Sequence, residues 1–202
     1  MQATPIDAPF DDPGYWFEPW WPGVRAIAFS ERGRLRMQVD GLSDAMAAFP
    51  EMAELPEQLA EDGVVLDGTL LVLDDDGRPE TSLLRARLDG PDRPGRPAYV
   101  ATDLLWAGGE AVTRRSFRVR RRWLEAVMAP GDRAVPGRGY PGEGTLVAEA
   151  LASLGIDGLS ARSLAARHRS GPAGEAWLRA PLVPAQPRPR PTLALILRLP
   201  LE

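Results

Sequence analysis

The side chains able to do chemistry in this sequence are sharply restricted. All 24 cationic side chains of the Lys/Arg class are arginine, and lysine is absent. Arginine keeps its proton at any biological pH, so it clamps phosphates and carboxylates but does not attack as a lysine amine does. Cysteine is absent too, which excludes a disulfide framework and a thiolate metal site and suits a reducing cytosol. The single histidine, His168, sits in the arginine-rich stretch "LAARHRSGPAGE". An imidazole can be a nucleophile, but this one reads as a surface histidine. Asp74, Asp75 and Asp76 precede Gly77 and read as an Asp-rich turn rather than a cation site. No metal site is expected.

In "FEPWWPGVRAIAF", residues 17–29, an acidic residue, a proline, a bulky pair and Gly-Val-Arg lead into an alternating apolar strand. This stretch offers Glu18, Trp20, Pro22, Gly23 and Arg25 at the mouth of that strand. The elements around it follow from periodicity. "VRAIAFS" (24–30) and "RLRMQVD" (34–40) alternate around Glu31-Arg32-Gly33 and predict a β-hairpin. Residues 42–62 have helical spacing broken by Pro50 and Pro56, predicting two short helices. Residues 63–80 predict a strand closed by an Asp-Gly turn, and 81–88 a helix capped by Thr81 or Ser82. Residues 98–110 predict a strand ending in a glycine turn. Residues 116–129 predict an amphipathic helix burying Phe117, Val119, Trp123, Leu124 and Val127. After a Gly/Pro loop, 144–155 predict another helix, and "IDGLSARS" and "AWLRAPL" the last strands of the main body. "VPAQPRPRP" (183–191) favours polyproline geometry, and "TLALILRLP" (192–200) has strand character. Without regular βαβ alternation the fold class is α+β with largely antiparallel sheet.

With 202 residues, 44% apolar and 26% charged, the chain is long enough for one sizeable domain or at most two small ones. No apolar run is long enough for a membrane span, and the N-terminus lacks the pattern of a secretory signal. Charge is uneven. Residues 1–90 carry 18 acidic and 7 arginine side chains, net −11; residues 91–202 carry 10 and 17, net +7. The basic half suits a polyanion, though the overall net charge of −4 speaks against binding nucleic acid by charge alone. The six arginines of 114–122 read as a solvated helix face.

Taken in order, "FPEM" (49–52), "LDGTLLVLDDDGRPETSLLRARL" (66–88), "DLLWAGGEAVTRRSFRVRRRWLEAV" (103–127), "GIDGLSAR" (155–162) and "AWLRA" (176–180) resemble the adenylation (nucleotidyltransferase) domain of ATP-dependent DNA ligases. The likeness is greatest to the bacterial end-joining type and runs from about residue 14 to 182. It implies antiparallel sheets packed together and flanked by helices, with 1–182 as the ligase-like domain and 183–202 as a Pro/Arg-rich linker and terminal strand. It also implies a chemistry. In that family a lysine amine attacks the α-phosphate of ATP, and carboxylates hold ribose and Mg²⁺. An aromatic ring covers adenine, and further lysines neutralise phosphate.

Against that pattern, Trp20 stands at the position of the nucleophilic lysine and Pro22 at that of the following aspartate. Thr69 replaces the glutamate after Leu-Asp-Gly, and Thr102 the adenine-covering aromatic. Asp157 replaces a glutamate; Arg162, Arg179 and Pro181 stand where lysines are expected. Glu18, Gly23, Arg25, Asp67, Gly68, Asp103, Gly158 and Trp177 fit the pattern. The twenty residues after Leu182 are too few for the family's OB-fold domain. The leading expectation is a pseudo-ligase that keeps the scaffold to bind DNA or a repair protein. Arg162, Arg167, Arg169 and Arg179 are its candidate nucleic-acid contacts. No catalytic residue is assigned and no cofactor is expected, ATP and Mg²⁺ being the family's. Two other readings stay open: an active ATP-using enzyme with rebuilt, non-lysine chemistry, and a purely protein-binding module. For Trp20, filling the old adenylate pocket competes with simple packing against Tyr15, Trp16 and Phe17.

Overall fold

The computed structural model describes residues 1–90, 92–183 and 191–197. In chain order the strands are β1 (Thr4–Pro5), β2 (Asp12–Pro19), β3 (Val24–Glu31), β4 (Arg34–Val39), β5 (Val64–Leu73) and β6 (Arg96–Ala107). There follow β7 (Glu110–Ala111), β8 (Ala134–Pro136), β9 (Tyr140–Gly142), β10 (Gly158–Ser163) and β11 (Trp177–Pro181). The α-helices are α1 (Ala45–Ala48), α2 (Thr81–Asp89), α3 (Phe117–Val127), α4 (Gly144–Ser153) and α5 (Leu193–Leu197). The class is α+β, and the sheets are largely antiparallel.

Two compact units emerge. The first comprises Met1–Trp21, Arg114–Arg118 and Arg138–Glu202, as far as these are described. It holds a five-stranded sheet in the order β1-β11-β10-β2-β9. The second comprises Pro22–Thr113 and Val119–Gly137. Its six-stranded sheet runs β4-β3-β5-β6-β7, with β8 parallel to β6.

In the second unit the hairpin is as the alternation predicts. Arg32 and Gly33 form its tip with positive φ (54° and 69°), the geometry that matches the twist of the flanking strands. Asp62 accepts the Arg32 N–H at 2.8 Å. One face of the sheet is apolar: Ala26, Ala28, Leu66, Leu70, Tyr99, Ala101 and Leu104 pack with Phe49, Met52, Leu55 and Leu124. Burying each large side chain of this set stabilises by roughly 1.5–3 kcal/mol. Gly68 is required in that core, because a Cβ there would lie 2.3 Å from the Val100 carbonyl and 2.6 Å from the Tyr99 ring.

Several local expectations change. After α1, Pro50–Gln58 is a 3₁₀ segment rather than a second α-helix, with Pro56 inside it. The prolines remove amide donors and favour the tighter winding. The cap of α2 is Glu80, whose carboxylate accepts the Ser82 N–H at 2.9 Å, not Thr81 or Ser82. In α3, Trp123 is exposed and Val119 only half-buried, whereas Arg120 and Arg121 are buried. The solvated-face reading therefore fails for two of the six arginines, because both find acceptors. Arg120 pairs with Asp103, and Arg121 donates to the Gly137 carbonyl and pairs with Glu125. The Gly/Pro loop contains β8 and β9. At the C-terminal end, Leu193–Leu197 is helical rather than extended. Most of the polyproline segment, 184–190, and residues 198–200 lie outside the described residues. Among the described residues no helix is long and apolar enough to cross a membrane.

Candidate functional site

In the first unit, register decides which side chains meet. Trp16 pairs with Arg162, which pairs with Trp177; Glu18 pairs with Ser160, which pairs with Arg179. Directly opposed residues share a sheet face. Trp16, Glu18, Ser160, Arg162, Trp177 and Arg179 therefore line one face. On the opposite face lie Phe17, Leu159, Ala161 and Ala180, all buried, with Phe17 packed against Gly144 at the start of α4.

The polar face is tightly organised. The Trp177 indole N–H donates to Ser160 Oγ at 2.9 Å, and the Ser160 hydroxyl reaches Glu18 Oε1 at a long 3.4 Å. Glu18 Oε1 lies 3.2 Å from Arg162 Nε, with both side chains buried (2% and 5% exposed). The Arg162 guanidinium in turn sits 4.2 Å from the Trp177 ring centre and 5.4 Å from that of Phe117. Such desolvated cation–π contacts contribute about 2 kcal/mol. Arg162 is thus consumed by the protein's own carboxylate and rings. This differs from the expected nucleic-acid contact, because a guanidinium held between aromatic rings and a buried carboxylate is not offered to a polyanion.

Trp20 continues the aromatic array. Its ring lies 5.8 Å from that of Trp177, tilted by 32°, and the Arg179 guanidinium carbon lies 4.3 Å from the Trp20 ring centre. Gly158 makes room: a Cβ there would meet Trp20 Cβ at 2.8 Å. The partners of Trp20 are thus Trp177 and Arg179, whereas the packing reading names Tyr15, Trp16 and Phe17; Tyr15 and Phe17 cluster with Phe10. Arg167, Arg169 and Arg179 are exposed, as is Asp157.

In the second unit, Arg25 pairs with Thr69 and Ile27 with Asp67 across β3 and β5. Arg25, Asp67 and Thr69 therefore share the face opposite the apolar core. Asp67 accepts two bonds from Arg25, from Nε at 2.8 Å and Nη2 at 2.7 Å. That hydrogen bonding raises the Arg25 pKa, overcoming the opposite effect of burial. Thr102, at a register shift in β6, donates to the Asp67 carbonyl at 3.3 Å. Pro22 is half-buried. Gly23 must be glycine because a Cβ would lie 2.3 Å from the Leu70 carbonyl. Asp103 accepts from Arg120 at 2.7 and 2.8 Å, with both side chains at most 2% exposed.

The sequence positions thus fall into two sets. Glu18, Trp20, Asp157, Arg162 and Arg179 belong to the first unit, and Pro22, Gly23, Arg25, Asp67, Thr69 and Thr102 to the second. Ser160 was not singled out, although the alternation of "GLSARS" puts it on the face of Arg162. The residues lack the lysine amine of the resembled reaction. In the first unit Glu18 is engaged by Arg162, and in the second Asp67 by Arg25. Among the described residues no group of three His, Cys, Asp or Glu could hold a metal.

No family model matches the sequence. The multifunctional non-homologous end joining protein LigD of Mycobacterium bovis is 30% identical over 163 residues, 81% of this chain and 21% of that protein. A probable DNA ligase of Anaeromyxobacter dehalogenans is 32% identical over 169 residues, 78% of this chain and 32% of its own length. The chain therefore spans between a fifth and a third of these relatives. Among solved structures, mycobacterial DNA ligase D complexed with ATP and MES superposes with a TM-score of 0.76 at 28% identity, over 89% of this chain and 58% of that one. The ligase domain of Mycobacterium tuberculosis LigD gives 0.70 at 28% identity, over 88% and 58%. In sequence and in fold, the chain is similar to the adenylation-type domain of ATP-dependent DNA ligases, the ligase domain of LigD among them.

Proposed function

We propose that this domain is a pseudo-ligase: it keeps the adenylation scaffold but does not form a nucleotide adduct, and it serves DNA repair by binding DNA. One observation carries the reading. At the position where the family places its nucleophilic lysine stands an indole that neighbours the Trp177 ring and the Arg179 guanidinium. An indole N–H only donates, and the arginines nearby do not shed a proton to attack phosphorus. Exposed Arg167, Arg169 and Arg179 supply the positive charge for a phosphate backbone, and binding of that kind weakens with salt.

The test is intact-mass spectrometry after incubation with ATP and Mg²⁺, beside an active ligase as control. The expected result is an unchanged mass; a gain of one adenylate would overturn the reading in favour of rebuilt, non-lysine chemistry. A mobility-shift series on nicked duplex tests the binding half. Binding should weaken steeply with salt and fall in the triple variant Arg167→Ala, Arg169→Ala, Arg179→Ala. No shift at low salt refutes it and leaves the protein-binding module as the better account.

A further inference from the structure

The second unit carries a surface that the ligase resemblance does not use. Strands β4, β3, β5 and β6 lie side by side, and their register sets Arg36, Phe29, Val65 and Trp106 in one row across the sheet. Directly opposed residues share a face, so all four project together. The row floors an open groove of about 880 Å³. Val65 is small and lies between two rings that are two strand spacings apart, about 10 Å. Phe29 already carries the Arg36 guanidinium, 4.0 Å from its centre. Trp106 is 40% exposed, with its indole at the groove.

The charge of the groove is basic: Arg32, Arg34 and Arg36 line it against a single acid, Glu31. This stands out in a half of the chain whose net charge is −11. The basic tip is also anchored, since Asp62 accepts the Arg32 N–H. An exposed aromatic face beside arginines on a fixed sheet suits a polymer with flat apolar rings and a regular anionic backbone. Base stacking on such rings tolerates any sequence, and it needs unpaired bases, because paired bases hide their faces in the duplex.

From this juxtaposition we infer that the β3–β4 hairpin surface binds single-stranded nucleic acid, with a base stacked on Trp106 and phosphates on Arg34 and Arg36. The site is separate from Arg167, Arg169 and Arg179, and it does not rest on the absence of adenylation.

The test uses the whole chain and fluorescein-labelled oligothymidylate, followed by anisotropy across a salt series, with the same oligomer in duplex form as comparator. In the Arg167, Arg169, Arg179 triple variant, which removes the duplex-binding surface proposed above, the single strand should bind more tightly than the duplex. Trp106→Ala should weaken it about tenfold, within the range of one stacked base, while Trp106→Phe retains most of the affinity. Replacing Arg34 and Arg36 by Gln should lower the log–log salt slope by about 1 to 2. The Arg167, Arg169, Arg179 triple variant should leave oligothymidylate affinity unchanged, which separates this site from the duplex-binding surface proposed above. Equal affinity for duplex in the Arg167, Arg169, Arg179 triple variant, wild-type affinity in a folded Trp106→Ala protein, or no binding at low salt each overturns the assignment. So does loss of binding on Trp106→Phe equal to that on Trp106→Ala, since stacking would then not be the interaction.

Discussion

Replacing Arg120 by alanine tests the most deeply buried charge pair of the second unit. Arg120 and Asp103 are 2% and 0% exposed, joined by two bonds of 2.7 and 2.8 Å, and Asp103 Oδ1 also accepts the Leu104 N–H at 2.9 Å. Removing the guanidinium strands a carboxylate in the interior. The cost of breaking such a pair from one side is about 3–5 kcal/mol, more than its net contribution, because the remaining charge is left uncompensated. Against a total stability of roughly 5–15 kcal/mol for a domain, that loss should be plain in urea denaturation. The double variant Arg120→Met, Asp103→Leu removes both charges and keeps apolar volume, so it should recover most of the loss. The cycle should then show strong coupling of the two sites. A single-variant loss below about 1 kcal/mol, or a double variant whose loss is the sum of the singles, would refute the reasoning that uncompensated burial dominates.

Other perturbations follow from named contacts. Glu51 bonds Arg87 at 2.9 and 3.1 Å; burial alone would raise its pKa, but Arg87 outweighs this and holds it below the ordinary 4.5. A depressed folded pKa stabilises above the unfolded value and is lost as pH falls through the folded one. The urea-midpoint difference between wild type and Glu51→Gln should therefore be full at neutral pH and vanish on acidification. Gly158→Ala forces a Cβ to 2.8 Å from Trp20 Cβ and should destabilise by about 1–3 kcal/mol, read as a lower melting temperature. Trp20→Lys should restore no adenylation by intact mass, because Pro22 and Thr69 remain in place of the family's aspartate and glutamate.

Periodicity made the strands legible where local order is strict. The hairpin of β3 and β4 alternates over a register that tertiary contacts then keep, while the long β5 is legible from its run of Val and Leu closed by an Asp-Gly turn. Periodicity failed where an element is short or carries turn-like residues. Strand β2 includes Pro13 and Gly14, which resemble a loop in isolation; pairing with β10 and β9 makes it a strand. The buried side of α3 was misread because a hydrophobic pattern cannot know that Asp103 and the Gly137 carbonyl wait for Arg120 and Arg121.

The residue inventory by itself determined the chemical limit of this protein. With no lysine or cysteine in the chain, side-chain amine and thiolate nucleophiles are ruled out whatever the fold. The order of its motifs carried the resemblance to DNA ligases. Only the tertiary structure decided what the remaining side chains do. It turned Arg162 inward onto Glu18 and Trp177, set Trp20 beside Arg179, and aligned Arg36, Phe29, Val65 and Trp106 in one row. The reason is physical: what a side chain can do follows from its type, but whether its charge is spent internally or offered to solvent depends on neighbours distant in sequence, brought close only by strand register.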